Sequence, residues 1–197
     1  MRRVALLALP IAVGLAACAA RTTPPAPVAA AAPAAPPSAD PELRQLFADD
    51  QADRARPVDQ IDWAAVAPRD VARRQRVDVL VAAGRARVAA DYYHAAMVYQ
   101  HGDTPADAGR AHALAARAVA LDPGHDAARW LAAASLDRQL MYQGQPQRYG
   151  TQFMQVDGVW SLWPVDPAVT DAERATWKVP PLAEARALVE RMNAPAR

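Results

Sequence analysis

Asp157-Gly158 stands between two short runs of β-forming residues, Phe153-Met154-Gln155-Val156 and Val159-Trp160-Ser161-Leu162. An Asp-Gly pair in that setting is the strongest short-range hairpin signal, because the favoured two-residue turns need residues that accept positive φ. A two-residue turn also fixes the register: Val156 faces Val159, Phe153 faces Leu162, and Gln152 falls opposite Trp163. The rest of the folded part reads as helix. The expected fold is therefore mostly α, about six to seven helices with one small β-hairpin near 151–164.

Helix boundaries are written in capping residues and prolines. Asp40-Pro41-Glu42 starts a first helix carrying Leu43, Leu46 and Phe47, which ends before Pro57. Pro68 is expected to begin a second, with Val71, Val77 and Leu80 set among Arg69, Arg73, Arg74 and Arg76, and Gly84 to cap it. A third runs from about Arg87 to Gln100, with Val88, Tyr92, Ala96 and Tyr99 on one stripe. Thr104-Pro105-Ala106-Asp107 begins a fourth, ended by Asp122-Pro123-Gly124, and a fifth follows from about His125 to Tyr142. Thr170-Asp171-Ala172-Glu173 is a capping box for a short helix holding Arg174. Pro180-Pro181 opens the last, where Leu182, Ala185, Leu188, Val189 and Met192 are expected to be buried along one side.

The N-terminus carries an address. Met1-Arg2-Arg3, an apolar run from Val4 to Leu15 and then Leu15-Ala16-Ala17-Cys18 have the layout of a secretory signal. The run is too short for a membrane span, which needs about 20 apolar residues. Small residues leading straight into cysteine resemble the bacterial lipobox, which implies lipid attachment at Cys18 and a signal peptide over 1–17. Cys18 is the chain's only cysteine, so no disulfide can form within it. The segment 18–39 is almost wholly Ala and Pro after the cysteine, a tether able to extend roughly 60 Å, and 40–197 is one domain's length. Ala19 after the cysteine resembles the signal for onward export to the outer membrane, with the domain in the periplasm. The implied partners are the membrane, through the lipid, and an envelope protein or peptide. With 22 basic against 21 acidic residues and no basic stripe, nucleic acid is not expected.

Many chemistries are excluded. The chain has no Gly-rich phosphate loop, no paired cysteines, no zinc helix with two histidines around a glutamate and no nucleophile elbow, and no cofactor is expected. His94 and His101 lie about 10 Å apart along one helix, too far to share a metal ion. After the tether the candidate serine nucleophiles are Ser135, mid-helix, and Ser161, on a strand, neither with a nearby histidine in sequence. The remaining polar constellation is Gln100-His101, Asp137-Arg138 and the segment 147–152. His101 as general base, oriented by Asp137, is the candidate catalytic pair of a hydrolase or lyase. Arg138, Gln147, Tyr149, Thr151 and Gln152 are the candidate binding residues. The competing reading makes the same residues a brace for buried backbone at a helix-to-strand junction.

Asp50-Gln51-x-x-Arg54, Gln100-His101, Asp137-Arg138, Gln147-x-Tyr149-Gly150-Thr151-Gln152, Pro164 with Asp166, and Asp171-x-x-Arg174 together resemble a bacterial domain family of unknown function. The resemblance spans about Asp50 to Leu188 and implies a mostly helical domain with the Tyr-Gly-Thr-Gln segment as its hallmark. It implies no activity, substrate or catalytic residue. The run AHALAARAVALDPGHDAARWLAAA also resembles one tetratricopeptide repeat pair, although a stacked solenoid needs about three repeats. That likeness points to binding of protein or peptide.

Overall fold

Helix α1 (Pro41–Asp53) begins where the Asp40 carboxylate accepts the backbone N–H groups of Glu42 and Leu43 at 2.9 and 3.1 Å, with proline in the first turn. The computed structural model describes residues 38–194. The signal, Cys18 and nearly all of the tether lie outside the described residues. Asp40 is itself anchored, its N–H donating to the buried carboxylate of Asp91 at 2.6 Å. Asp91 also accepts from the N–H groups of Arg87 and Val88, so one carboxylate ties the start of α1 to the start of α3 (Ala89–Gln100).

Helix α2 (Trp63–Ala82) starts five residues before the expected Pro68, because Asp62 accepts the N–H of Ala65 and caps an earlier turn. Pro68 then lies inside the helix, with no N–H to give the carbonyl four residues back. Helix α4 (Pro105–Leu121) follows with the expected cap, Thr104, and α5 (Asp126–Tyr142) starts one residue after His125, whose ring accepts the Ala128 N–H and caps it. Helix α4 packs against both α3 and α5, and α1 and α2 cover α3. The seam is made of small residues. Ala95 and Ala96 of α3, Ala111 and Ala115 of α4 and Ala132 of α5 are all buried, while Leu43, Val77, Leu80, Val98, Leu114 and Leu131 fill the space around them. Helix axes can approach closely where the contact residues are small.

A second, smaller core gathers Ala133 of α5 with Tyr149, Val169 and Val179, and Leu136 and Trp177 pack on it. The two-stranded sheet, β1 (Phe153–Val156) and β2 (Val159–Leu162), has the register read from the sequence, Phe153 opposite Leu162 and Val156 opposite Val159. Its turn residues Asp157 and Gly158 have φ of 49° and 79°. Helix α6 (Asp171–Thr176) is capped by Thr170 as expected. Helix α7 (Leu182–Asn193) departs from the expectation: none of its residues is buried. Its partner is β2, whose Trp160 exchanges two 2.8 Å hydrogen bonds with Asn193, and a two-stranded hairpin is too narrow to bury the helix's apolar stripe. Among the described residues no helix is long and apolar enough to cross a membrane.

Candidate functional site

Asp137, on α5 and fully buried, receives backbone. Its carboxylate accepts from the N–H of Arg148 (2.7 Å), the N–H of Tyr149 (3.0 Å), and the N–H and hydroxyl of Thr151 (3.1 and 2.8 Å). Three amides can converge on one carboxylate only if the chain reverses between them, and Gly150 supplies the reversal with φ of 86°. Gln147, also fully buried, clasps the other side. Its side-chain N–H groups donate to the carbonyls of Gln152 and Trp163 at 2.9 and 2.8 Å, and its Oε1 accepts the Gln152 N–H at 2.8 Å. Arg174 fixes the outer carbonyls, donating to those of Tyr149 and Val169 at 3.0 and 2.8 Å. The Tyr149 ring belongs to the second core, tilted against Trp177 with centroids 6.1 Å apart. Asp137, Gln147 and Tyr149 thus hold the segment in shape.

From this clasp a polar chain leads across the helix ends. Gln152 donates to the Ala134 carbonyl and the Thr151 hydroxyl at 3.1 and 3.0 Å, which turns its Oε1 toward Arg138 Nε, 3.1 Å away. Arg138 Nη1 donates to the carbonyl of Gln100, the last residue of α3, at 2.7 Å. His101 follows, and its Nδ1 lies 2.9 and 3.1 Å from the two carboxylate oxygens of fully buried Asp50. Asp50 also accepts from Arg54, which pairs with Asp70, and Arg73 links Asp70 to Asp53. Hydrogen bonds from Arg69 first, and then from Arg73, pull the Asp53 carboxyl down to about 2.

The structure therefore joins Arg138 to Gln152 and to the backbone beside His101, but it does not join His101 to Asp137. The residue that orients His101 is Asp50, which the sequence reading quoted only within a motif. Its one sequence signal is the i, i+4 pairing with Arg54 on a helix end. Among the described residues no group of three or more metal-ligating side chains is present.

A separate groove of about 230 Å³ opens beside Gly150 and Thr151. Its walls are Trp130 of α5, Phe153 of β1, and Ala185 and Leu188 of α7, with Glu184 and Arg191 adding opposite charges. No curated protein and no solved structure matches the chain. Residues 88–194, from the start of α3 through α7, match a family of unknown function and take in Gln100, His101, Asp137, Arg138 and the 147–152 clasp while leaving out Asp50 and Arg54. The match covers more than half of the 197 residues, and the chain belongs to that family, DUF6624.

Proposed function

We propose that this chain is a lipoprotein of the bacterial cell envelope whose helical domain, held on its Ala/Pro tether, is a peptide-binding module. The tether and the Leu15-Ala16-Ala17-Cys18 sequence support the address. The observation that carries the binding role is the groove beside Gly150-Thr151, across which Trp130 and Leu188 stand 40% and 37% exposed. An aromatic and an aliphatic side chain flanking a concave apolar floor form the kind of pocket in which one anchor residue of a peptide is desolvated. Glu184 and Arg191 supply one acceptor and one set of donors for the peptide's polar groups. The occupant is a short segment of an envelope partner presenting an apolar side chain. Selection from a displayed peptide library on the detergent-solubilised protein tests this. Selected peptides should share an apolar anchor and lose at least about tenfold in affinity, or about 1.4 kcal/mol, in Trp130→Ala and in Leu188→Glu. Peptides that bind both variants as well as the parent would refute the groove as the site.

The pair Asp50 and His101 favours a second reading, a hydrolase or lyase with His101 as general base. A buried carboxylate on Nδ1 fixes the ring's orientation, and among the described residues no group bonds Nε2. Turnover of any substrate that is lost in His101→Gln and reduced in Asp50→Asn, with groove peptides still bound, would establish it.

A further inference from the structure

Arg138 differs from the other arginines of the polar chain. Arg54, Arg73 and Arg174 each pair with a carboxylate, whereas among the described residues no carboxylate stands within salt-bridge distance of Arg138. Burial pulls its guanidinium below the ordinary range, Arg54 nearby acts in the same direction, and Tyr142 and Asp103 oppose only in part. A cation drawn partly out of water without an ion-pair partner is costly unless something supplies the charge. A guanidinium has five N–H donors; two are used, on Gln152 and the Gln100 carbonyl, so three remain without a partner among the described residues.

We infer that Arg138, beside the end of α3, binds a small oxyanion, the carboxylate or phosphate group of a ligand. A planar guanidinium with free N–H groups on its outer nitrogens matches two oxygens of one such group. Gln152 is the positioning residue. Its amide is fixed by the Ala134 carbonyl and the Thr151 hydroxyl, and it holds the Nε edge so that the outer edge is presented. The clasp built on Asp137 and Gln147 thereby serves this site by fixing Gln152. None of the residues of the site lines the peptide groove, so the two stand or fall separately.

The test is thermal unfolding of the detergent-solubilised full chain at pH 7.5, in sodium phosphate or sodium acetate against sodium chloride at matched ionic strength. The expected result is a saturable rise in Tm with at least one of the two oxyanions, since a ligand binding only the folded state stabilises it by mass action. Arg138→Met removes every guanidinium donor and should abolish the rise. Arg138→Lys keeps the charge but not the fork, and should raise the apparent Kd at least about tenfold. A parent that responds to neither oxyanion beyond chloride overturns the proposal, as does an unchanged response in Arg138→Met. If that variant does not fold, an unchanged Kd in Arg138→Lys overturns it instead. Trp130→Ala should retain the full response, which separates failure here from failure of the groove.

Discussion

Asp137 and Gly150 show what a single residue decides here. Four donors, three of them backbone amides, meet one carboxylate, so Asp137→Asn turns an amide N–H toward backbone N–H groups that can only donate. Each buried polar group left unpaired costs about 1–3 kcal/mol. Asp137→Asn should therefore lower Tm by roughly 5–10 °C, at the 2–4 °C per kcal/mol usual for this size, as read by a circular-dichroism melt. Gly150→Ala should cost about 1–2 kcal/mol in left-handed strain. It also brings a Cβ to 3.1 Å from Leu182 Cδ1. Melts of both variants like the parent's would show that the clasp is not what shapes this segment. The sequence made the segment visible, since nothing else in the chain looks like Gln147-x-Tyr149-Gly150-Thr151-Gln152. It did not reveal which acid serves which partner. His101 and Asp50 are 51 residues apart and meet only because α1 and α3 pack, a distance that no local pattern encodes.

Whole elements were legible wherever capping chemistry marks them, as at Asp40, Thr104 and Thr170, and less so where a neighbour decides. Pro68 looked like a helix start because proline favours the first turn, yet the Asp62 cap overrides it. Helix α7 has a proper apolar stripe, but a stripe does not say how wide the surface covering it will be. The contact between α1 and α3 carries a pH dependence. Phe47 stacks on His94 with centroids 4.8 Å apart, and His94 Nδ1 is buried without a partner among the described residues. Burial, chiefly, pushes the His94 pKa below its ordinary 6.5; Arg44 and His125 act in the same direction and Asp91 against it. The unfolded chain then binds the proton more readily than the folded one. The stabilisation is complete above pH 6.5 and is lost as pH falls below that value. Tm should drop between pH 7.5 and 5.5, and His94→Phe should flatten the drop. Asp53 does not contribute in that window, because its pKa is lowered from 3.8 to about 2, so its stabilisation is lost only as pH falls through the range between those values. An equally steep profile in His94→Phe would contradict this assignment.

At the scale of the molecule, the address and the domain are separate statements in one chain. The reading of 1–39 rests on Cys18 and its neighbours alone, and its test is biochemical. Cys18→Ala, or globomycin treatment of the parent, should leave an unprocessed precursor with no palmitate label in the envelope fraction. Normal maturation of the variant would remove the lipid anchor from the proposal. The fold class was legible at this scale because almost every segment repeats the helical period and one Asp-Gly turn breaks it. The packing order of the helices was less so, since alanine-rich faces carry little pattern to tell one partner from another.

The alanine seam between α3, α4 and α5 has a mechanical consequence. Alanine has no rotamers, so this interface has no side-chain freedom to lose on folding and none with which to absorb a displacement afterwards. The three helices act as a stiff gauge block, and the 2.7 Å reach from Arg138 of α5 to the end of α3 is set by its thickness. A methyl or two added at Ala111 or Ala115 would change that thickness without touching any polar residue, and the altered spacing would emerge at Gln100 and His101.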